Sequence, residues 1–462
     1  MNAVFLKDTI AAISTPPGVG AVGIVRISGP KSEKIGRLLF KPRSPGCRFE
    51  SYHLYHGDIL SLRTGNILDE VLLVFMKGPR TFTGEDCVEI QCHGGPVILQ
   101  RVLEAALEAG ARPAEPGEFT RRAFLNNRMD LSQAEAICDI IMAKTEGGLE
   151  RALHQLKGAL SGKIREIREA ILQVLVPLEA SIDFTEEEID TPENRTLLPP
   201  IDKVLGDLQT LLGTYQEGRL FREGISVVIA GKANVGKSSL FNRLVGEKRV
   251  IVTPIAGTTR DFIEKSISID GLPVRLTDTA GLRETDNLIE KEGMAFVRER
   301  LLDADVVIVI LDGSEPLGPE DMKILEENKN RSMILAINKA DLPHRLSEGD
   351  LVKYTGPLQP LWISAKYGEG IDVLKKNVYN AARRGENQHA SDAILTAVRH
   401  KVAVKKGIDL LSKAKESLQA GLSPECAAFD LRQAVENLDE ITGRNLSEEI
   451  LDQIFSTFCI GK

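Results

Sequence analysis

The chain has 462 residues, of which 42% are hydrophobic and 27% charged, and its formal net charge is −8 at pH 7. This length predicts two to four domains. No apolar run is long enough to lead us to expect a membrane span, and the amino terminus lacks the basic, apolar and small-residue pattern of a signal peptide. Six scattered cysteines suit a reducing cytoplasm without a zinc site, and the acidic balance excludes a protein that binds nucleic acid over its whole surface.

Residues 1–125 are predicted to form an α+β domain. The runs AVGIVRISG and EVLLVFMKG are typical of strands, and PVILQRVLEAALEAGAR has helical periodicity as far as Gly110. The segment GVGAVG matches GxGxxG at Gly18, Gly20 and Gly23, but two prolines precede it and a strand-like run follows. Because a dinucleotide fingerprint follows a strand and opens a helix, we expect no Rossmann site here.

Three arginines and the last cysteine each leave two interpretations open. Arg121, Arg122 and Arg128 are candidates for a local nucleic-acid contact, and a solvated helix face accounts for them at least as well. Cys459 stands fourth from the carboxyl terminus, where a prenylation box would place it, but the final Gly-Lys pair does not fit that box. We therefore consider Cys459 either a reactive thiol or a small buried hydrophobe.

The rest of the chain alternates between helical and mixed patterns. Residues 126–222 are helical in pattern, apart from the acidic segment DFTEEEIDTPEN, which is expected to be a solvated loop. Over residues 223–384 short β-branched runs alternate with helical stretches, which predicts a doubly wound parallel sheet, and Asp270-Gly271 marks the turn of an antiparallel hairpin. Residues 385–462 are helical again. The prediction is a multidomain α/β protein in which an α/β domain is inserted into a helical one.

The segment GKANVGKSS opens this inserted domain. It matches GxxxxGK[ST] at Gly231, Gly236, Lys237 and Ser238, follows the strand-like SVVIA and opens the helix-like SSLFNRLVG. In such a loop, backbone N–H groups and the helix N-terminus favour phosphates, the lysine reaches the β- and γ-phosphates, and the serine binds Mg²⁺. Taken alone, the motif could also be a chance glycine-rich turn.

Three further motifs follow in order, each after a strand-like run. In DTAG, Asp278 is suited to hold magnesium through water and to couple Gly281 to the γ-phosphate. In NKAD, the Asp341 carboxylate can accept hydrogen bonds from the guanine N1–H and 2-amino group, and adenine offers neither donor. In SAK, residues Ser364 to Lys366 can touch the guanine carbonyl through backbone N–H groups. Together the four motifs predict a GTPase domain.

Hydrolysis needs an oriented water and positive charge near the leaving group. Leu282 stands where Ras-like domains have a Gln, so another group must orient the water, and the following loop offers Glu284, Glu290 and Glu292. Asn234 is either a turn residue with an unusual φ or a ligand of a monovalent cation that supplies the charge of an arginine finger. In the segment VTPIAGTTRD, backbone carbonyls near Thr253 and Ile255 would close that cation site, and Thr259 would bind magnesium.

With these motifs in place, the chain resembles the MnmE (TrmE) family of tRNA modification GTPases. The segments GKANVGKSS, AGTTRD, DTAGLRET and NKAD, the flanking helical regions and the terminal FCIGK carry the resemblance. DTIAAISTPPGVGAVGIVRISGP, FTGEDCVEIQCHGGPVI and PGEFTRRAFLNNRMDL are similar to the family's folate-binding domain, so the likeness covers nearly the whole chain.

The resemblance implies a homodimer joined through its amino-terminal domains and a potassium-stimulated GTPase whose G domains meet across the dimer. It also implies a flavoprotein partner, MnmG, which forms a heterotetramer with the dimer and shares the binding of tRNA. The pair would add a carboxymethylaminomethyl-type group to carbon 5 of the wobble uridine (U34). The one-carbon donor would be 5-formyl- or methylene-tetrahydrofolate.

Residue roles follow from the same resemblance. Glu290 is the water-orienting acid, and Cys459 lies beside the modification chemistry. The potassium ligands are Asn234, Thr253, Ile255 and Thr258, and the magnesium ligands are Ser238 and Thr259. The folate-contacting positions are Arg26, Glu89, Arg128 and Lys462. Arg128 stands where some relatives have Lys, and the donor geometry of the two side chains differs.

The predicted GTP-binding residues come from five segments of the chain. They are Asn234, Val235, Gly236, Lys237, Ser238, Ser239, Thr253, Pro254, Ile255, Ala256, Gly257, Thr258, Thr259, Asp278, Thr279, Ala280, Gly281, Asn338, Lys339, Asp341, Ser364, Ala365 and Lys366. Two other classes of protein compete with this interpretation. A ribosome-assembly GTPase should carry a basic RNA-binding appendage, and a folate-binding scaffold with a vestigial G domain would not need four intact motifs.

Overall fold

The computed structural model describes residues 8–44, 48–183, 194–247, 264–278, 304–347, 349, 351, 359–383 and 392–462. The chain divides into two compact units, one formed by Met1–Cys138 with Asp439–Lys462 and the other by Asp139–Leu438. The two ends of the chain therefore belong to the same unit. The four-domain division at residues 125, 222 and 384 stays a prediction.

The helices described here are numbered in chain order. They are α1 (Ser32–Leu39), α2 (Pro96–Glu108), α3 (Glu118–Leu125), α4 (Leu131–Met142), α5 (Glu146–Leu156), α6 (Ala159–Asp183), α7 (Asn194–Gly213), α8 (Tyr215–Glu223), α9 (Lys237–Glu247), α10 (Pro319–Asn328), α11 (Ile371–Arg383), α12 (Val398–Gln419), α13 (Pro424–Thr442) and α14 (Glu448–Ser456). Within the described part of the chain, none of them combines the length and the apolar character that crossing a bilayer requires.

The first unit is built on a seven-stranded sheet in the order β3-β4-β5-β6-β2-β1-β7. Its strands are β1 (Ile10–Ile13), β2 (Val22–Ser28), β3 (Phe40–Pro42), β4 (Leu54–Leu60), β5 (Ile67–Met76), β6 (Cys87–His93) and β7 (Arg112–Pro113). All neighbouring strands are antiparallel except the parallel pair β1–β7. The two runs predicted as strands are β2 and β5.

Apolar side chains of this sheet form one core with the amphipathic helices. Val25, Ile27, Val88 and Ile90 from the sheet lie in one buried cluster with Val102 of α2. Helix α2 ends just before Gly110, whose φ of +108° stops the helix as the sequence predicts. The glycine-rich match GVGAVG runs into strand β2, where a Cβ on Gly23 would lie 2.4 Å from Leu99 Cδ1. Close packing of α2 on the sheet therefore requires glycine at that position.

The structure corrects the prediction for two of the three arginines, Arg122 and Arg121. Its side chain is only 3% exposed and its guanidinium pairs with Asp8, Glu85 and Glu118 at 2.6, 3.1 and 2.9 Å. Burial alone would lower the pKa of Arg122, but the three carboxylates outweigh it and raise the pKa. Arg121 is mostly buried as well and pairs with Asp452 of α14 at 2.9 Å. For these two arginines, both the nucleic-acid contact and the solvated face are wrong, because buried charges persist only when paired.

The second unit contains a six-stranded sheet in the order β13-β12-β11-β8-β10-β9. Its strands are β8 (Ile225–Ala230), β9 (Glu264–Ile269), β10 (Leu272–Asp278), β11 (Val306–Asp312), β12 (Met333–Asn338) and β13 (Leu361–Trp362). All neighbours are parallel except β9, which forms a hairpin with β10. Asp270 and Gly271 form its turn with φ of +48° and +82°, as a two-residue hairpin requires. The predicted doubly wound sheet is confirmed.

Helices from before and after this sheet in the chain pack against each other. Leu208 of α7 and Leu411 of α12 are both fully buried, and Lys415 of α12 pairs with Asp202 of α7 at 2.6 Å. The predicted insertion of the α/β domain into a helical domain is therefore confirmed.

Candidate functional site

The predicted phosphate loop connects strand β8 to helix α9. A Cβ on Gly231 would lie 2.5 Å from the Ile310 carbonyl oxygen. A Cβ on Gly236, whose φ is +101°, would lie 2.3 Å from Asn338 Nδ2. Asn234 also has a positive φ, of +65°, which Asn tolerates better than most residues. The loop backbone can therefore follow this path only with glycine at its two signature positions.

Lys237 is the first residue of α9 and its side chain folds back over the loop. The residue is 8% exposed, and its Nζ donates to the carbonyl oxygens of Gly231 and Lys232, both at 2.7 Å. The next residues, Ser238 and Ser239, are exposed on the first turn of the helix. An ammonium group and a helix N-terminus thus converge on the same loop, and both attract anions.

Strand register brings the other motifs to the same edge of the sheet. Asp278 ends β10 opposite Ile229 of β8, the residue before the end of that strand. Asn338 ends β12 opposite Asp312, which ends β11. Because parallel strands end at a common edge, Asp278 and Asn338 both lie at the edge of the sheet where ligands bind in open α/β folds.

Three of the motifs are linked by hydrogen bonds through Asn338. This residue is 4% exposed, and its Nδ2 donates to the Val235 carbonyl at 2.8 Å. Its Oδ1 accepts from the Ala365 N–H at 2.9 Å. The Ser364 hydroxyl donates to Asp341 Oδ1 at 2.7 Å. The buried amide therefore links the phosphate loop to the SAK segment, and the SAK segment orients the carboxylate predicted to read guanine.

Sequence reasoning missed two residues of this site. Asp312 accepts a hydrogen bond from Lys339 Nζ at 2.5 Å. Burial alone would raise the pKa of Asp312, but the hydrogen bonds from Lys339 and Ser314 hold it below its usual range. The position of Asp312, at the end of a buried apolar strand, was the available signal. Arg243 of α9 contacts the SAK segment, and nothing in its helical context indicated that contact.

Several predicted residues lie outside the described part of the chain. They are Thr253, Pro254, Ile255, Ala256, Gly257, Thr258, Thr259, Thr279, Ala280, Gly281 and Glu290. Of the predicted magnesium and potassium ligands, the described ones are Ser238 and Asn234. Both are exposed at the phosphate loop, and each carries the oxygen donor that these hard cations prefer.

In the first unit, Arg26 and Glu89 lie opposite each other on neighbouring strands. Arg26 Nε donates to Glu89 Oε1 at 2.8 Å, with the two side chains 17% and 19% exposed. The guanidinium carbon of Arg26 lies 5.8 Å from the ring centre of Phe82 and 5.6 Å from that of Phe119. An ion pair and two rings thus form a partly open polar and aromatic site.

The carboxyl-terminal tail reaches this site. The Gly461 carbonyl accepts a hydrogen bond from Arg26 Nη1 at 3.4 Å. Gly461 has a φ of +91°, and a Cβ there would lie 2.5 Å from the Ile13 carbonyl oxygen, so the tail packs tightly on strand β1. The half-buried Lys462 follows. Arg128 Nε donates to the Thr81 carbonyl at 3.0 Å, next to Phe82. Of the four positions predicted to contact folate, Arg26 pairs with Glu89 and contacts the tail, Arg128 contacts the loop that carries Phe82, and Lys462 ends the tail.

Cys459 precedes the packed part of the tail. Its carbonyl accepts from the Gly117 N–H at 3.3 Å, while the residue itself is exposed. The interpretation of Cys459 as a small buried hydrophobe is therefore wrong for this chain. Its interpretation as a reactive thiol stays a prediction.

Comparison with known proteins gives a consistent assignment. Residues 131–459 match the family model for the MnmE helical domain, and residues 9–128 match that for the GTP-binding protein TrmE N-terminus. The chain is 52% identical to the tRNA modification GTPase MnmE of Syntrophus aciditrophicus (strain SB) over 99% of this chain and 100% of that protein. It is 45% identical to the protein of the same name from Carboxydothermus hydrogenoformans, with 99% and 100% covered.

Among solved structures, the G domain of the T. maritima FeoB iron transporter matches 34% of this chain and 98% of that chain. The identity is 28% and the TM-score 0.27. The assignment therefore rests on the full-length relatives and the two family models, which together span the described motifs from strand β1 to the tail. The chain belongs to the MnmE family of tRNA modification GTPases.

Proposed function

We propose that this protein hydrolyses GTP to GDP and phosphate in order to drive modification of the tRNA wobble uridine. Together with a flavoprotein of the MnmG type, it adds a carboxymethylaminomethyl-type group to carbon 5 of U34, and 5-formyl- or methylene-tetrahydrofolate supplies the one-carbon unit. The observation that carries the proposal is the joint presence of two sites. One is a phosphate loop linked to a guanine-reading segment by Asn338, and the other is an Arg–Glu pair capped by the chain's own tail.

In the nucleotide site, the side chain of Lys237 is already turned over the phosphate loop. Its ammonium donates to two carbonyl oxygens, and phosphate oxygens would replace these acceptors when GTP binds, with stronger charge-assisted hydrogen bonds. Ser238 and Thr259 would hold Mg²⁺, which neutralises the charge of the β- and γ-phosphates. Asn234, Thr253, Ile255 and Thr258 would hold K⁺ beside the same phosphates.

On the base side, Asp341 and the SAK segment would select guanine. Ser364 fixes one carboxylate oxygen of Asp341, so that the carboxylate is oriented before the nucleotide arrives. A preoriented acceptor pair fits the N1–H and 2-amino donors of guanine and would be left unpaired by adenine. Glu290 would orient the attacking water, as the family resemblance implies.

In the first unit, Arg26 supports binding of an anionic, aromatic cofactor. Its guanidinium is oriented by Glu89 and by the Gly461 carbonyl, and Phe82 and Phe119 lie beside it. Tetrahydrofolates combine a polar ring system with carboxylates, which suits such a mixed site. Lys462 and Arg128 would add positive charge, and Cys459 would act as nucleophile or proton donor next to the bound folate.

The net charge of −8 favours an arrangement in which tRNA is bound jointly with the flavoprotein. A homodimer formed through the amino-terminal domains would bring two copies of the folate site together, and the G domains would meet during hydrolysis. Phosphate contacts dominate the affinity of proteins for nucleic acids. Phosphate contacts made by a chain of this net charge must therefore be local or shared with a partner.

The test uses the full-length protein and the variant Arg26→Ala. We expect binding of 5-formyl-tetrahydrofolate, measured by isothermal titration calorimetry, to weaken about tenfold or more, since a charge-assisted contact is lost. In a strain whose own gene is deleted, the variant should fail to restore modified wobble uridine, measured by mass spectrometry of tRNA. The matched control is Arg63→Ala in the same unit, where the arginine is 78% exposed and pairs with Glu108. Equal folate affinity in Arg26→Ala and the parent would refute the folate site.

A further inference from the structure

Arg243 lies on α9, seven residues after the second signature glycine of the phosphate loop, and points at the SAK segment. Its Nη2 donates to the Lys366 carbonyl at 2.5 Å and its Nε to the Ala365 carbonyl at 3.3 Å. Gly368 has a φ of +88°, and a Cβ there would lie 3.7 Å from the guanidinium carbon of Arg243. The helix that begins at the phosphate loop therefore holds two successive carbonyl groups of the loop predicted to face the base.

Fixing these carbonyls also fixes the N–H groups of the same peptide units. In a trans peptide the C=O and the following N–H point in opposite directions. Since the Ala365 carbonyl points at α9, the Lys366 N–H points away from that helix. The same holds for the Lys366 carbonyl and the Tyr367 N–H. Arg243 thus determines the direction of two potential donors to a ligand.

One of these two N–H groups makes no hydrogen bond within the loop. The Ala365 N–H donates to Asn338 Oδ1, the Tyr367 N–H to the Ser364 hydroxyl at 3.3 Å, and the Gly368 N–H to the Ser364 carbonyl at 2.7 Å. Among the residues that the structure describes, the Lys366 N–H makes no hydrogen bond. A backbone donor that is oriented but not used is suited to a ligand acceptor.

We propose that Arg243 is a positioning residue for guanine recognition, which aims the Lys366 N–H at the 6-oxygen of the base. The proposal rests on the assignment of Ser364 to Lys366 as the guanine loop. Together with Asn338, Arg243 gives the loop a second attachment to the phosphate-loop element. The base-reading donor and the phosphate-binding helix therefore keep a constant spacing, and preorganisation of this kind improves binding by removing the cost of ordering.

The test compares GDP with 6-thio-GDP, in which sulfur replaces the 6-oxygen and accepts hydrogen bonds weakly while N1–H and the 2-amino group remain. Dissociation constants are measured by calorimetry on the full-length parent, Arg243→Ala, Arg243→Lys and the control Lys376→Ala. Lys376 is an exposed cation on α11 of the same sheet domain, so its removal matches the loss of charge without touching the SAK segment.

We expect the parent to prefer GDP over 6-thio-GDP and Arg243→Ala to reduce that preference by about threefold to tenfold, the range of one ordinary hydrogen bond. The reduction should come from weaker GDP binding, while the affinity for 6-thio-GDP stays within about twofold of the parent. In GTP hydrolysis the KM should rise and kcat at saturating GTP should persist. Arg243→Lys keeps the charge but loses the planar fork, so its preference should be intermediate. Lys376→Ala should match the parent.

Equal weakening of GDP and 6-thio-GDP in Arg243→Ala would overturn the proposal, because it would make Arg243 a general brace of the domain. Unchanged affinity for both nucleotides would overturn it as well. If Arg243→Ala does not fold, the Lys variant carries the test, and an unaltered preference in folded Arg243→Lys protein would refute the positioning role. A parent without preference for GDP would instead refute the guanine-loop assignment itself, and with it the inference.

Discussion

Replacing Asp341 by Asn should exchange the base preference of the nucleotide site from guanine to xanthine. In the parent, the Ser364 hydroxyl donates to Asp341 Oδ1 at 2.7 Å. An Asn at this position would keep its carbonyl oxygen on Ser364 and would turn its amide NH₂ toward the base. That NH₂ meets the N1–H and 2-amino donors of guanine, so donor faces donor. The 2-oxygen of xanthine would instead accept from it.

The expected loss follows from the number of hydrogen bonds. Two charge-assisted hydrogen bonds to a carboxylate contribute about 1.5–3 kcal/mol each, or about 3–6 kcal/mol together. Since 1.4 kcal/mol is a tenfold change, GDP affinity should fall by about 10²–10⁴-fold. A xanthine nucleotide regains one neutral hydrogen bond of about 0.5–1.5 kcal/mol and avoids the donor–donor contact, so the order of the two affinities should invert.

The assay is calorimetric titration of the full-length protein with GDP and with xanthosine diphosphate. Asp341→Ala should lose GDP affinity without gaining xanthine affinity, because it offers no amide donor. Asp341→Asn combined with Ser364→Ala frees the amide to rotate and should weaken the new preference. Asp372→Asn, which changes a side chain that is 92% exposed, is the control for loss of charge. Equal GDP affinity in Asp341→Asn and the parent would refute the assignment of Asp341 and the reasoning from Ser364.

Four further predictions concern other parts of the molecule. Arg122→Leu should lower the free energy of unfolding of the first unit by about 3–5 kcal/mol in urea titrations, since it leaves the mostly buried Glu85 without its cation, while Asp8 and Glu118 keep Arg112; a loss below about 1 kcal/mol, as expected for exposed pairs, would contradict the buried ion cluster. GTP hydrolysis should be faster in potassium than in sodium at equal ionic strength, and equal rates would make Asn234 a turn residue only. Glu290→Ala should lower the hydrolysis rate with nearly unchanged nucleotide affinity, measured by single-turnover kinetics and titration. If the variant lost only nucleotide affinity, the role of orienting the water would belong to another acid. Removal of the last four residues should abolish wobble-uridine modification and leave GTP hydrolysis by the isolated protein largely unchanged. Cys459→Ser should have the same effect if the thiol takes part in the reaction. An equal loss of hydrolysis on truncation would mean that the tail only stabilises the structure.

Features that depend on a few neighbouring residues could be predicted from the sequence. The turn at Asp270-Gly271 needs two residues with positive φ, and Asp followed by Gly supplies them. The phosphate loop needs glycine where the backbone approaches Ile310 and Asn338, and the signature places glycine there. The end of α2 at Gly110 follows from the same conformational freedom. In each case the deciding interaction lies within a short segment, or its geometry recurs in every loop of the class.

Features that depend on residues far apart in the chain were decided by the tertiary structure. Arg121 and Arg122 are consistent in sequence with a solvated basic helix face, yet their charges are satisfied by acids that the sequence places as far away as Asp8 and Asp452. In its sequence context Arg243 is an ordinary helical arginine, and only the fold places the carbonyl groups of Ala365 and Lys366 beside it. The tail reaches Arg26 across 435 positions of sequence. A sequence pattern shows which side chains are charged. Whether a charged group lies in water or against a buried partner depends on which distant segments pack together, because desolvation and ion pairing act through space rather than along the chain.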